Sequence, residues 1–333
     1  MKASLRDNPV IIQGNPIDLV EVDTYLGFKI HQAGPLRSIK ATFDDRSAKA
    51  AQKMYAMKRL LVHPAIQNNG FLKSGKTLFR AGVIPSLMYS CECWFGMSPN
   101  MVETVEAKFR KLLYTMLNIP KHTKYDAVIH ELKLKKAVHI IESQQMCFIN
   151  TIINGDNNEE AKSLLIKEAA DRTDGSDILS LVRSMCDKYG IPPVTENADV
   201  DNEFIKYKVK RFAEVESWKS CVGCRLVVTR PFIRSAPRFY YRMNRVEGRA
   251  VLLWRCGYLK FKDSWRKYHS KRGGTRCPNI FCSEDDSLNH ALRCRFATVK
   301  IENANTGTPF EVRMARFLIN LDRERSKIKL PIL

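Results

Sequence analysis

Long apolar stretches and a secretory leader are both missing from this sequence. The longest stretches without a charged residue, Leu60 to Leu72 and Ser143 to Gly155, are far shorter than the roughly 20 residues that a membrane-spanning helix needs. Residues 1–25 carry charges of both signs and have no apolar core, so they do not form a secretory signal. We therefore expect an intracellular protein, in the nucleus or the cytoplasm, that is not secreted and has no membrane partner.

Motifs for nucleotide binding and for two-metal chemistry are missing too. Gly273-Gly274 has no Gly-Lys-Ser/Thr downstream, and no Gly-x-Gly-x-x-Gly follows an expected strand. The acidic pairs Asp44-Asp45 and Asp285-Asp286 lie in charged, polar surroundings. Two-metal phosphoryl transfer needs carboxylates on rigid neighbouring strands that hold the ions roughly 3.5–4 Å apart. The sequence therefore predicts no self-sufficient active site and no catalytic residue.

Acidic residues are few relative to basic ones. The chain of 333 residues has 35 Asp and Glu against 55 Lys and Arg, which leaves a net charge of +20. An excess of this size indicates a polyanionic partner, which is either nucleic acid or an anionic membrane face. The concentration of the excess in the basic segments described below favours RNA or DNA. An apolar share of 44% with 9% aromatic residues is enough to build cores, which argues against a disordered chain.

Apolar periodicity predicts a mainly α protein that follows a short β segment. Strands are expected at Val10 to Gln13, Ile17 to Val22 and Tyr25 to Ile30. From Arg37 onward apolar residues recur at three- and four-residue steps, most clearly over Met101 to Leu117. Helices are expected over residues 38–62, 78–94, 101–117, 127–132, 137–153, 159–171, 177–188 and 202–219, and Pro85 is expected to kink or end the second of them.

Sequence character divides the chain into five consecutive segments. Stretches rich in Gly, Asn and Pro predict linkers at residues 154–158 and 191–200. The expected segments are a β segment at 1–32, a helical domain at 33–155, a helical connector at 156–235, a basic helix with a zinc module at 236–300 and a helical tail at 301–333.

Cysteine and histidine gather in one short polar stretch near the C terminus. Three thiols and one imidazole, with turn residues between them, are typical of a closed tetrahedral site for structural zinc. Such a site has no open position, so the metal would stabilise the fold and perform no catalysis. His269 could replace one ligand, and three buried cysteines beside a surface histidine are the alternative without metal. The predicted ligands are Cys277, Cys282, His290 and Cys294.

The segment from Arg242 to Arg276 is strongly basic, with eleven Lys or Arg against Glu247 and Asp263, and it carries five aromatic residues. At about 100° per residue these aromatics fall on one helical stripe, which favours a buried face over a platform for stacking bases. Gly257 is an expected interruption of this helix. The cations expected on its outer face, in contact with phosphates, are Arg255, Lys260, Lys262, Arg266, Lys267, Lys271 and Arg272.

Several segments, taken in order, resemble the carboxy-terminal half of reverse transcriptases of non-LTR (LINE-type) retrotransposons. Val20 to Ile30 resembles the end of the palm, where Tyr25, Leu26 and Gly27 correspond to the turn of the primer-grip region. Ile84 to Trp94 and Val105 to Ala127 resemble the thumb. The segment 261–268 and the cysteine and histidine set are similar to the motif near the carboxy terminus of such proteins, so the likeness covers about residues 8–155 and 250–300.

The resemblance implies RNA-directed DNA synthesis, with template–primer or element RNA as the partner and Mg²⁺ only in the intact parent polymerase. In this family a Phe/Tyr-x-Asp-Asp hairpin precedes the Tyr-Leu-Gly turn, but the residues before Tyr25 do not form it. Phe43-Asp44-Asp45 follows the turn and lacks the intervening residue. We therefore expect a thumb and zinc region without the polymerase centre, from a truncated element copy or a gene model begun at an internal Met1.

The resemblance implies that the thumb-like region closes on the template–primer duplex. An A-form hybrid is held mainly through its phosphates and shallow minor groove, which calls for cations without base-reading geometry. Two alternatives remain at this point: a stand-alone zinc-stabilised RNA- or DNA-binding protein, and an inactive, decayed remnant of an element. The candidate phosphate contacts of the thumb-like region are Lys108, Arg110, Lys111, Lys121 and Lys124.

Overall fold

The protein is mainly α-helical after a short N-terminal β segment, as the periodicity predicts. Its structure, a computed structural model, describes residues 10–12, 15–17, 21–155, 158–172, 176–194, 200–221, 240, 243–256, 313–314 and 316–321. Within these residues no helix is long and apolar enough to cross a bilayer. The helices are α1 (Pro35–Leu60), α2 (Pro64–Asn68), α3 (Phe71–Leu78), α4 (Ile84–Leu87), α5 (Pro99–Leu117), α6 (Tyr125–Leu132), α7 (Ala137–Asn154), α8 (Glu159–Asp171), α9 (Ile178–Tyr189), α10 (Asn202–Ser220) and α11 (Arg245–Arg255).

The four strands form two antiparallel hairpins, β1 (Val10–Ile12) with β2 (Asn15–Ile17) and β3 (Val22–Tyr25) with β4 (Phe28–His31). The prediction of one strand from Tyr25 to Ile30 is wrong. Leu26 and Gly27 form a turn inside that stretch, with φ of 45° and 82°. Positive φ at both central residues is what a two-residue hairpin turn requires, and glycine accepts it without strain.

The predicted helix over residues 78–94 is also wrong in its bounds. The helical run begins at Phe71, passes through a π-helical turn at Phe79–Val83 and ends at Leu87. The π turn ends two residues before Pro85. The proline ring clashes with the carbonyl four residues earlier in a regular α-helix, which accounts for the change in spacing. Cys91–Cys93, at the end of the predicted helix, is a separate 3₁₀ turn.

The other described helices lie close to their predicted positions, but α2 and all of α3 before Leu78 lie in a stretch where no helix was predicted. The chain groups into two compact units, each built from three separate stretches. The division of the chain into five consecutive segments, which was based on sequence character, stays a prediction. Unit 1 is Met1–Ala50, Ser86–Ala107 and Ala137–Lys208, and unit 2 is Ala51–Pro85, Lys108–Lys136 and Val209–Leu333.

The core of unit 1 forms around α7, which packs against the 3₁₀ turn and against α8 and α9. Phe43 and Trp94 meet edge to face in this core, with ring centroids 6.0 Å apart. The β3–β4 hairpin is fastened to α1, because the backbone N–H of Lys29 donates to Thr42 Oγ1 at 2.8 Å and that of His31 donates to Ser38 Oγ at 2.8 Å.

The core of unit 2 forms where α11 packs against α2, α3 and α6. Phe79 and Phe109 are both fully buried and meet edge to face at 5.2 Å. The start of α11 is fixed by a capping box, in which Asn244 and Glu247 each accept a backbone N–H from the other. These contacts hold the helices that carry the cations described below.

Candidate nucleic-acid interface

The five cations predicted for the thumb-like region lie on the second half of α5, in the loop after it and at the N-cap of α6, all in unit 2. We call this set the α5–α6 surface. Four of its side chains are exposed, and Lys108 is half-buried. The apolar stripe of α5 is buried in the core, so the opposite face turns outward. The set is Lys108, Arg110, Lys111, Lys121 and Lys124.

The loop between α5 and α6 is fixed by a buried tyrosine. The Tyr114 hydroxyl donates to the Thr123 carbonyl at 2.8 Å, and the Ile119 N–H donates to the Tyr114 carbonyl at 2.8 Å. Burial raises the pKa of Tyr114, so its hydroxyl stays a neutral donor at physiological pH. The backbone that carries Lys121 and Lys124 is therefore held in one conformation.

Two cations of the α5–α6 surface are also positioned by their side chains. The Arg110 guanidinium lies 5.9 Å from the centre of the Tyr125 ring, and the Lys124 ammonium donates to the Ser220 carbonyl. None of the ion pairs among the described residues involves any of the five cations, whereas nearby Lys136 binds Asp126 at 2.8 Å. Their charges are therefore not neutralised by carboxylates in the described part of the chain.

The primer-grip-like residues lie at the tip of the β3–β4 hairpin, in unit 1. Tyr25 and Leu26 are 67% and 76% exposed. The tip itself is fastened, because Arg46 Nη2 donates to the Gly27 carbonyl at 2.7 Å and the Tyr89 hydroxyl donates to the Leu26 carbonyl at 2.9 Å. The Arg46 guanidinium also lies 4.0 Å from the centre of the Tyr89 ring. The arrangement presents two exposed side chains on a rigid turn.

We expect Gly27→Ala to destabilise the protein more than Gly96→Ala. Both glycines have positive φ, which strains an L residue by roughly 1–2 kcal/mol, but only a Cβ at Gly27 meets another group, with Arg46 Nη2 at 2.2 Å. A Cβ at Gly96 meets nothing within 4 Å. Urea denaturation of the two variants measures the difference, and equal losses would show that the contact with Arg46 does not hold the turn.

The expected exposure of Arg255 is wrong. Its side chain is 11% exposed, and Arg255 Nε donates to a carboxylate oxygen of Glu131, which also accepts from the Tyr240 hydroxyl at 2.8 Å. The periodicity predicted an exposed Arg255 because it lies outside the expected aromatic stripe, but α11 packs against three helices, so Arg255 is buried as well. Trp254 is 5% exposed, which confirms the burial predicted for the first aromatic of the stripe.

The remaining calls near the C terminus fall outside the described residues. This applies to the predicted zinc ligands Cys277, Cys282, His290 and Cys294, and to the cations Lys260, Lys262, Arg266, Lys267, Lys271 and Arg272. Among the residues that the structure does describe, no three His, Cys, Asp or Glu side chains come together to hold a metal ion. Zinc binding and phosphate contact at these positions stay predictions.

Sequence reasoning missed a second group of cations in unit 2, which we call the Lys76 cluster: Lys76, Arg80, Lys133 and Lys210. They come from α3, the π-helical turn, the C-cap of α6 and α10. Burial and the charges of the other three cations lower the pKa of Lys76 to about 8. No local pattern could reveal the group, because its members are dispersed along the sequence.

Comparison with protein-family models, with curated proteins and with solved structures finds no match for this chain.

Proposed function

We propose that this chain is a non-catalytic, nucleic-acid-binding fragment of a retrotransposon RNA-directed DNA polymerase, which holds the template–primer through its phosphates. The α5–α6 surface is the observation that carries the proposal. This surface carries five cations on a backbone that Tyr114 helps to fix. None of the five forms an ion pair with a carboxylate among the described residues. A chain with a net charge of +20 has the long-range field that attracts a polyanion to such a surface.

The chemistry of the surface fits phosphate contact without sequence recognition. Lysine ammonium groups act as point charges, and the guanidinium of Arg110 can bind two phosphate oxygens at once. Phosphate contacts position a duplex but carry no base information. The proposed partner is therefore an RNA–DNA hybrid recognised by its charge and A-form shape, with little preference between sequences.

Two further parts of the chain belong to the same proposal. The exposed hairpin tip at Tyr25 and Leu26 would contact the primer strand, as the primer-grip resemblance implies. Zinc bound by Cys277, Cys282, His290 and Cys294 would stabilise the C-terminal module and take no part in chemistry. No polymerisation step is assigned to any residue, because the sequence has no Phe/Tyr-x-Asp-Asp motif before Tyr25.

A charge-neutralised variant tests the proposal. Arg110→Gln, Lys111→Gln and Lys121→Gln together remove three exposed cations of the α5–α6 surface, and each contact with a phosphate is a charge-assisted hydrogen bond of about 1.5–3 kcal/mol. We expect the affinity for an RNA–DNA hybrid to fall by about a hundredfold or more at moderate salt, measured by fluorescence anisotropy.

The matched control removes the same charge elsewhere. Lys40→Gln, Lys53→Gln and Arg59→Gln replace three exposed cations on α1, so the net charge of the two triple variants is identical. We expect the control to lose only the general attraction of three charges, which is a few-fold. Equal losses in the two variants would contradict a localised surface, and extension of a primed template by the wild-type chain would contradict the non-catalytic assignment.

A further inference from the structure

A cavity of about 400 Å³ lies between three helices of unit 1. It forms where α7, α8 and α9 pack against one another. Each helix lines it with residues that are three or four positions apart and so lie on one helical face, which means that three faces converge on the same space. These pairs are Ile149 and Ile153 on α7, Lys162 and Leu165 on α8, and Leu179 and Val182 on α9.

The lining changes from apolar at the floor of the cavity to basic at its mouth. Ile149 and Val182 are 1% and 2% exposed, so they form the floor, and half-buried Leu165 forms part of the wall. Two of the described lining residues are ionisable, and both are cations: partly buried Lys162 and exposed Arg183. A ligand that fits this gradient has an apolar part for the floor and a negative group for the mouth.

The mouth of the cavity carries an excess of positive charge. The Lys162 ammonium lies 3.7 Å from a carboxylate oxygen of Glu159, whose side chain is 78% exposed, and an ion pair in water of this kind is weak. Arg183 forms no ion pair with a carboxylate of the described residues. Its guanidinium can bind two oxygens of one anion at once.

Helix α8 leaves apolar surface uncovered beside the cavity. None of its residues is fully buried, although it packs against both α7 and α9. Ile166 lines the cavity and is still 55% exposed. An amphipathic helix is stabilised by burying its apolar stripe, so a ligand in this space would supply contacts that the described part of the chain does not.

We propose that this cavity binds a small anionic amphiphile with a single alkyl chain and an oxyanion head group. The chain lies against Ile149, Leu165 and Val182, and the head group binds Lys162 and Arg183. The volume falls within the range of roughly 300–1,000 Å³ that is typical of small-molecule sites, which favours such a ligand over a docked protein. The carboxylate of a fatty acid and the phosphate of an alkyl phosphate share this chemistry. The site does not depend on the proposed nucleic-acid function.

Isothermal titration calorimetry of the full chain with decanoate, and separately with decyl phosphate, tests the site. We expect saturable binding of one decanoate molecule per chain. Decanol keeps the alkyl chain but has no charge, so it should bind about tenfold or more weakly than decanoate. Octanoate is shorter by two methylene groups and should also bind about tenfold more weakly, because it buries less apolar surface.

A pair of charge variants locates the head group. Lys162→Gln with Arg183→Gln removes both cations of the mouth and should weaken decanoate binding about tenfold or more. Lys40→Gln with Lys167→Gln removes the same charge at exposed positions of unit 1 that do not line the cavity. We expect this control to bind decanoate nearly as the wild type does.

A pair of tryptophan variants locates the alkyl chain. Leu165→Trp places a large ring in the wall of the cavity, and we expect it to weaken decanoate binding about tenfold or more by filling the space. Leu164→Trp places the same ring one residue earlier, where the side chain is 68% exposed and does not line the cavity. This control should bind decanoate as the wild type does.

The site is overturned if neither decanoate nor decyl phosphate shows saturable binding, or if decanol binds as tightly as they do. Wild-type affinity in Leu165→Trp overturns it as well. If thermal denaturation shows that Leu165→Trp is unfolded, the two charge variants decide, and equal affinities there also overturn the site. Binding of decanoate alone assigns the site to a carboxylate, whereas binding of both titrants assigns it to alkyl oxyanions in general.

Discussion

Replacing Glu131 by alanine is expected to lower the free energy of unfolding by about 3–5 kcal/mol. The Glu131 side chain is 5% exposed and accepts from both Arg255 Nε and the Tyr240 hydroxyl. Burial opposes the charge of Arg255, yet the Glu131 carboxylate raises the pKa of Arg255 above its usual value. The variant leaves a buried guanidinium and a buried hydroxyl without the carboxylate that satisfies them.

A double-mutant cycle separates the ion pair from the general effect of a smaller side chain. Arg255→Met keeps the length of the side chain and removes the charge. We expect the free energy of unfolding of the double variant Glu131→Ala with Arg255→Met, measured by guanidinium denaturation, to fall clearly less than the sum of the two single variants. The second change removes the charge that the first leaves buried without its carboxylate. Additive losses would show that the two residues stabilise α6 and α11 independently.

Replacing Trp94 by alanine is expected to cost about 3–5 kcal/mol of stability in unit 1. Trp94 is fully buried, and its ring meets Phe43 edge to face. Its indole Nε1 is buried with no hydrogen-bond partner among the described residues. Trp94→Phe keeps much of the aromatic contact and removes this unsatisfied N–H. Its loss of stability should therefore be distinctly smaller than that of Trp94→Ala.

Phe148 provides the matched control for this substitution, because it is an aromatic of the same unit that is 39% exposed. Phe148→Ala should change stability by about 0.5 kcal/mol or less. Thermal and chemical denaturation of the three variants give the comparison. If Trp94→Ala lowers stability no more than Phe148→Ala does, the core of unit 1 does not lie where the structure places it.

The helices could be predicted from the sequence because their signal is local. In α5 the apolar residues recur on one face, and the stripe that includes Phe109 and Leu113 is the one that the structure buries. The apolar pattern alone places Leu26-Gly27 within a strand, because a two-residue turn interrupts the alternation only briefly, whereas the family resemblance implies a turn at these residues. Pro85 predicts an interruption in this helical run, but the π-helical form of the turn before it could not be predicted, because its spacing departs from the regular helical period.

The candidate site could be predicted only in part. Clustering in sequence identified the α5–α6 surface, and its exposure follows from the amphipathic pattern of α5. The burial of Arg255 depends on Glu131 and Tyr240, which are remote from it in sequence, so helical periodicity alone could not predict it. The four cations of the Lys76 cluster are likewise dispersed along the sequence, and no stretch of sequence contains them together.

The salt dependence of hybrid binding tests the central claim most directly. Each phosphate neutralised by a cation contributes a slope of roughly 0.7–0.9 to the fall of log K with log salt, so five contacts on the α5–α6 surface predict a slope of about −3.5 or steeper for the wild-type chain. The variant without Arg110, Lys111 and Lys121 should give a slope shallower by about 2. A slope near zero, or a slope unchanged by the triple substitution, would contradict phosphate contact through this surface.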